Sequence, residues 1–222
     1  MGTAPEIGTA ERLLNDVVAG ARARAQERVR DLRKRHPGEN RRLLAERLVK
    51  SGARRAGLGG AATGALSLFS LPVGLPAGIA LTLALEAELL LALLELYGFD
   101  TAGEAGRFKL YALWAGAGAA DAAKSMGLRL GANALGRMIA GSLPARVIAR
   151  LHPALVRIVL KRLGLGWLPK AMKLWPVLGA PIGYIVDSSA LRALGKATID
   201  VLESMPPPDA AVANEDNVVG LH

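Results

Sequence analysis

The feature that most limits the fold of this chain is a run of 30 residues, 56–85, without a charged side chain. Its length alone would let one helix cross a bilayer, because about 20 apolar residues span the hydrocarbon layer. Pro72 and Pro76 interrupt the run, and proline breaks a helix by removing a backbone N–H and by crowding the preceding turn. We therefore predict two shorter helices, one over about 56–69 and one from Pro76 to about Tyr97.

Three carboxylates on the second of these helices argue against a membrane span. Each ionised acid near the middle of a bilayer costs roughly 2.5–3.5 kcal/mol, so a hairpin buried in a helical bundle is the favoured interpretation. Two of the acids, Glu88 and Glu95, share a helix face and could bind a cation, but pairing with Arg107 or Lys109 is favoured. The candidate buried polar residues are Glu86, Glu88 and Glu95, and we expect Glu86 and Glu88 each to face a polar partner, water or headgroups. Glu86 and Glu88 lie about 200° apart on a helix and cannot form a carboxylate dyad.

Small residues predict how the two halves of this hairpin pack. Glycines at intervals of three and four leave a smooth strip on the first helix, and leucines at intervals of four form a ridge on the second. We expect the ridge to lie against the strip. The predicted structural residues of the hairpin are Gly57, Gly60, Gly64, Pro72 and Pro76, and the ridge is Leu81, Leu85, Leu89 and Leu93.

The remaining sequence predicts an all-α multi-helix bundle around this glycine-rich apolar hairpin. No stretch alternates apolar and polar residues with β-branched side chains, so we expect at least six helices and no sheet. Asn40 is the predicted cap of the second helix. The other helices are expected at about 9–34, 104–119, 120–142, 144–163, 169–174 and 181–202. The expected organisation is basic amphipathic helices over 1–55, a helical core over 56–203 and a flexible acidic tail over 204–222.

The net charge of +9 is concentrated near the N-terminus, where the segment from Arg22 to Arg55 holds 13 basic and four acidic residues. Such a block is a solvated face, a surface for anionic lipid headgroups or a nucleic-acid surface. The segment has no aromatic residue to stack on bases, which disfavours nucleic acid, and the neighbouring apolar run favours lipid. The candidate lipid-binding or partner-binding residues are Arg22, Arg24, Arg28, Arg30, Arg33, Arg35, Arg41 and Arg42.

The sequence contains no recognisable catalytic site. The chain has no cysteine, which excludes thiol catalysis and disulfides, and its three histidines are scattered. Ser142 lacks the G-x-S-x-G context of a nucleophile elbow, and His152, before Pro153, is interpreted as a helix-boundary residue. No phosphate loop, dinucleotide fingerprint or metal-ligand cluster is present. We therefore expect no enzymatic activity, cofactor or metal. The first ten residues lack a secretory signal, so a cytoplasmic location is expected.

Residues 41–201 resemble the EcsC family. The motifs that carry the resemblance are the glycine-rich segment 57–64, the Leu-Pro-Val-Gly-Leu-Pro segment 71–76, the Leu-Tyr-Gly-Phe-Asp segment 96–100 and the glycine-rich segment 175–183. Tyr184 stands where the family usually has asparagine. The resemblance implies a helical fold and membrane association, and it carries over no catalytic residue.

We therefore predict a non-enzymatic protein at the cytoplasmic face of the inner membrane, peripheral or partly embedded. It would bind anionic lipid or a membrane or secretion-related partner. The alternative is a soluble helical scaffold or cargo protein that docks on another protein through residues 204–222. An enzyme acting on lipids is a distant third hypothesis. Membrane extraction separates the first two, because only the first pellets with membranes.

Overall fold

The computed structural model describes residues 4–66, 77–127, 134–141, 143–162 and 179–205. Within these ranges, the side chains of residues 4–13, 59–66, 77–80, 117, 134, 160–162 and 179–187 are not described. The described elements are eight helices, without a strand in these ranges, so the all-α prediction and the expectation of at least six helices are confirmed. The helices are α1 Ala4–Arg35, α2 Arg41–Leu66, α3 Ala77–Leu96, α4 Gly103–Ala115, α5 Ala117–Ser125, α6 Ala134–Ala140, α7 Ala145–Arg162 and α8 Gly179–Glu203.

Helix α3 lies at the centre of the bundle. Six consecutive residues, 89–94, are at most 1% exposed, so this part of the helix is apolar and buried on every side. Helix α1 packs on one side of α3 and α2 on another, while α8 contacts both α2 and α3. A smaller group formed by α4, α5, α6 and α7 completes the bundle. Its centre is α4, which buries Phe108, Tyr111 and Trp114.

Specific contacts give the directions of the helices around α3. Arg28 of α1 contacts Glu88 and Arg33 contacts Leu96, so α1 runs parallel to α3. Arg55 of α2 also contacts Glu88, whereas Arg41 lies over the ring of Tyr97, so α2 runs antiparallel to α3. The two basic helices therefore run in opposite directions, and both contact the carboxylate of Glu88.

The N-terminal end of α2 agrees with the sequence, but its extent does not. The Asn40 cap is confirmed, because the Leu43 N–H donates to Asn40 Oδ1 over 2.9 Å. The prediction of a separate helix beginning near residue 56 is wrong, since α2 is continuous from Arg41 to Leu66. Tertiary packing supports the glycines within it, and both Gly52 and Gly57 are buried. The expected boundary between residues 55 and 56 thus lies inside one helix.

Two other expected helix boundaries are corrected. The helix expected over 120–142 is divided, because Gly127 adopts φ +75° immediately after α5 and ends it. His152 does not mark a boundary, since α7 continues through Pro153. Pro153 and Ala149, whose carbonyl loses its helical N–H donor, are both exposed, so water can replace the lost bond. The helix expected over 169–174 and the tail over 206–222 lie outside the described residues.

Most of the predicted contact between the glycine strip and the leucine ridge lies outside the described residues. Gly57 is buried, but the surroundings of Gly60 and Gly64 are not described, and Pro72 and Pro76 lie outside the described residues. In the predicted ridge, Leu89 and Leu93 are fully buried and Leu85 partly so, whereas Leu81 is 37% exposed.

Among the described glycines, the closest approach between two helices joins α2 to α8. A Cβ atom on Gly195 would lie 2.5 Å from Val49 Cγ2, and one on Gly52 would lie 3.5 Å from Leu191. Together with the Arg42–Glu203 pair, these contacts make α2 and α8 antiparallel.

We predict that Gly195→Ala destabilises the protein. The new methyl group would collide with Val49, whose β-branched side chain has little rotamer freedom in a helix, so α8 must move away from α2. Overpacking of this kind costs about 1–3 kcal/mol, and each kcal/mol lowers the melting temperature by about 2–4 °C in a chain of this size. Thermal unfolding followed by circular dichroism measures the effect.

The matched control is Gly20→Ala on the exposed side of α1. Its nearest neighbour would be the flexible end of Arg24, at 3.3 Å, and alanine favours a helix by up to about 1 kcal/mol over glycine. A Gly195→Ala variant that melts at or above the wild-type temperature would show that α2 and α8 do not depend on this contact.

Candidate anion-binding surfaces

The most strongly held polar group in the core is the carboxylate of Glu88, which has 2% of its side chain exposed. Three arginines surround it. Arg24 Nε donates to Oε2 over 3.2 Å, Arg28 Nη1 donates to Oε1 over 2.9 Å, and Arg55 Nη2 donates to the same Oε1. Arg28 also donates to Ser51 Oγ of α2 over 2.6 Å. The cluster ties α1 and α2 to the middle of α3.

The charges of this cluster do not cancel. Burial alone would raise the pKa of Glu88, but the hydrogen bonds and charges of Arg55 and Arg28 outweigh it and lower the pKa below the ordinary value. The carboxylate is therefore ionised at neutral pH, beside three guanidinium groups. Burial and the charge of Arg55 lower the pKa of Arg28. The side chains of Arg24 and Arg55 are 49% and 42% exposed, so the excess positive charge faces outward.

The predicted partners of Glu88 were wrong. Lys109 donates to the backbone carbonyl of Asp100 over 3.0 Å, and Arg107 lies 3.8 Å from Glu104. The sequence could not predict the true partners, because the packing of α1 and α2 on α3 brings arginines from distant parts of the sequence to Glu88.

The other two glutamates of α3 have polar partners as well. Glu95 accepts a hydrogen bond from Thr101 Oγ1 over 3.2 Å, and Glu86 accepts one from Trp114 Nε1. The expectation that Glu86 and Glu88 each face a polar partner is confirmed. Among the described residues, no group of three or more His, Asp or Glu side chains could hold a metal ion.

The eight arginines singled out in the sequence do not form one uniform surface. Most of them contact other groups of the same chain. Arg24 and Arg28 contact Glu88, Arg33 donates to the Leu96 carbonyl over 3.3 Å, Arg35 lies 3.7 Å from Asp31, Arg41 stacks on Tyr97, and Arg42 pairs with Glu46 and Glu203. Arg22 Nε is buried without a hydrogen-bond partner, and Arg30 is exposed.

One surface groove runs between α1 and the C-terminal end of α3. We call it the α1–α3 groove. It has a volume of about 500 Å³. Three of its lining side chains are cations, and the one carboxylate among them, Glu95, already accepts a hydrogen bond from Thr101. The guanidinium of Arg33 donates to the last carbonyl group of α3 and so offsets the negative partial charge at the C-terminal end of that helix. The lining residues are Gln26, Val29, Arg30, Arg33, Lys34 and Glu95.

A second groove, the α2–α8 groove, has a volume of about 460 Å³. Its cations are divided into two kinds. Arg42 is engaged by Glu46 and Glu203, whereas no ion pair within the described residues involves Lys50, Arg192 or Lys196. The lining residues are Arg42, Glu46, Val49, Lys50, Arg192, Lys196, Ile199 and Asp200. Sequence reasoning missed Arg192 and Lys196, although their spacing of four residues in a predicted helix placed them on one face.

At one end of this groove a tyrosine joins three helices. The Tyr97 hydroxyl of α3 donates to Glu203 Oε1 of α8 over 3.0 Å, and the Arg41 guanidinium of α2 lies 5.4 Å from the ring centre. Burial and the hydrogen bond to Glu203 raise the pKa of Tyr97 to about 12. The hydroxyl stays protonated at neutral pH, so the group acts as a link between helices rather than as a base.

A further cationic face lies on α7, outside the N-terminal block. Arg146, Arg150 and Arg157 are exposed on this helix, whose sequence contains no acidic residue. The opposite face packs into the core through Leu151 and Leu155.

His152, on helix α7, contacts an aromatic ring of α4. The His152 ring meets the ring of Tyr111 edge-on, with centres 5.2 Å apart. His152 therefore contributes to packing between α4 and α7.

The length and apolar content needed to cross a bilayer are not found together in any helix of the described part of the chain. No family model matches the chain, and no curated protein or solved structure matches it.

We predict that Glu88→Gln destabilises the protein at neutral pH. The amide cannot offset the three guanidinium groups, and loss of hydrogen bonds to a charged partner costs about 1.5–3 kcal/mol. Glu104→Gln is the matched control, because the Glu104 side chain is 91% exposed and should tolerate the same change. Chemical denaturation measures the free energy of unfolding of both variants.

The pH dependence of the protein's stability provides a second test of the same interaction. Since the folded-state pKa of Glu88 is lowered, its stabilisation is present above the ordinary value of 4.5 and is lost as the pH falls through the folded value. The difference in free energy of unfolding between the wild type and Glu88→Gln should therefore become smaller at acidic pH. A difference that stays constant from pH 7 to pH 3 would contradict the assignment of an ionised Glu88.

Proposed function

We propose that this protein binds anionic membrane surfaces peripherally through the α1–α3 groove, without catalysing a reaction. The observation that carries the proposal is the grouping of Arg30, Arg33 and Lys34 beside one carboxylate that is already hydrogen-bonded. Each basic side chain near an anionic lipid surface contributes about 1 kcal/mol. The lining thus carries a formal excess of two positive charges, to which headgroup phosphates can bind.

Lipid is favoured over nucleic acid by what lines the groove. The aliphatic stems of its basic side chains give it apolar character, and none of its lining residues is an aromatic that could stack on a base. The outward charge of the Glu88 cluster and the arginines of α7 favour approach to any anionic surface. The resemblance of residues 41–201 to the EcsC family supports membrane association, and the cytoplasmic face of the inner membrane is the proposed location.

Within the groove, the cations have different roles. Arg33 donates to the Leu96 carbonyl, so it stabilises the end of α3 as well as adding charge. Arg30 and Lys34 are exposed and lie four residues apart on α1, so they occupy the same face. These two side chains are assigned to headgroup contact.

We predict that Arg30→Gln/Lys34→Gln weakens binding to anionic vesicles roughly tenfold, because two headgroup contacts of about 1 kcal/mol each are lost and salt screens part of their value. Co-sedimentation with phosphatidylserine-containing vesicles, with phosphatidylcholine vesicles for comparison, measures this. The matched control is Arg146→Gln/Arg150→Gln on α7, which removes the same charge at the same spacing. Replacement of Arg28 is avoided, since it would disturb the Glu88 cluster.

The outcomes separate the hypotheses. The proposal is supported when only the α1 variant loses binding and when binding weakens with added salt. Equal losses in both variants would mean that net charge, rather than the groove, determines binding. A wild-type protein that stays in the supernatant with anionic vesicles would overturn membrane binding and favour the scaffold alternative.

A further inference from the structure

We propose that the α2–α8 groove binds a single-chain anionic amphiphile, namely a phosphate monoester that carries a short alkyl chain. This site lies on other helices than the α1–α3 groove. It would hold a monomeric ligand, so it does not depend on whether the protein binds a membrane surface.

The charges of the groove favour an anion. Its lining contains four cations and two carboxylates, which is a formal excess of +2. Glu46 lies 3.3 Å from Arg42, so one carboxylate is already engaged at the Arg42 end. Lys50, Arg192 and Lys196 have no ion pair within the described residues, and all three are exposed.

The helix register brings these three cations to the same part of the groove. The antiparallel contacts of Val49 with Gly195 and of Gly52 with Leu191 place Lys50 of α2 opposite the segment 192–196 of α8. Glu46 lies four residues before Lys50 and Asp200 four residues after Lys196, so the two carboxylates partly offset the charge of these lysines. The lining keeps a formal excess of +2, which favours an anion between the three cations.

The floor of the groove favours an apolar chain next to the anion. Val49 and Ile199 form this floor, and they are 9% and 4% exposed. From Arg192 to Ile199 the groove extends about 10 Å along α8, at about 1.5 Å per residue. Because Gly195 lets the two helices approach closely, the floor is held by backbone packing and exists before a ligand binds.

A phosphate monoester fits the cationic end better than a carboxylate does. It carries close to two negative charges at neutral pH and three acceptor oxygens, which suits three separate basic groups. The volume of about 460 Å³ lies within the usual range for small-molecule sites.

Isothermal titration calorimetry with octyl phosphate, below its aggregation concentration and without membranes, tests the proposal on the full chain. We expect octyl phosphate to bind roughly tenfold or more tightly than inorganic phosphate, because the chain buries apolar surface. Octyl glucoside, which has the same chain without the charge, should not bind measurably. Lys50→Gln/Lys196→Gln should weaken octyl phosphate binding roughly tenfold or more, whereas Arg146→Gln/Arg150→Gln on α7 should leave it unchanged.

Thermal unfolding without ligand distinguishes a binding site from a structural one. Because Lys50 and Lys196 are exposed and make no ion pair within the described residues, Lys50→Gln/Lys196→Gln should melt close to the wild-type temperature while losing ligand affinity. The proposal is overturned if octyl phosphate and inorganic phosphate bind equally, if octyl glucoside binds as well as octyl phosphate, or if the α7 variant loses as much affinity as the groove variant.

Discussion

The arrangement of the helices depends on one buried charge. Glu88 lies on the most buried helix, and a carboxylate in that position is costly unless it is paired and fully hydrogen-bonded. Arginines from α1 and α2 meet this need, so both helices are tied to α3 at the same level. Apolar contacts supply most of the packing energy along these interfaces. The ion pairs add specificity, because an arrangement that moved both helices away from Glu88 would leave a buried carboxylate unpaired.

The same cluster changes how the basic N-terminal segment is understood. A count of charges treats all of its arginines alike, but those at positions 24, 28 and 55 are committed to Glu88, and Arg42 is committed to Glu46 and Glu203. Of the remaining N-terminal cations, Arg30, Arg33 and Lys34 line the α1–α3 groove, and Lys50 lines the α2–α8 groove. Arg22 and Arg54 belong to neither lining. Internal ion pairing therefore leaves fewer available cations than a count of charges suggests.

Local signals in the sequence predicted local structure well. The cap at Asn40, the helical content and the need of Glu86 and Glu88 for polar partners follow from side-chain chemistry and spacing over a few residues. What the sequence could not supply was the pairing of distant segments. The partners of Glu88 depend on the direction of α1 along α3, and the cations at Arg192 and Lys196 become part of a groove only because α8 lies against α2. The continuity of α2 was missed because a glycine such as Gly52 is supported by Leu191 and Leu89 of neighbouring helices rather than by its own helical preference.

The position of Glu88 in the chain has a consequence during protein synthesis. The ribosome completes both α1 and α2 before it reaches the carboxylate that holds them, since α2 ends at Leu66 and Arg55 precedes Glu88 by 33 residues. At about 5–20 residues per second, this interval lasts roughly 2–7 s. During that time the emerging chain presents a strongly cationic pair of segments whose internal counter-charge does not yet exist. The first anionic surface that the nascent protein meets therefore competes with its own α3 for the same arginines.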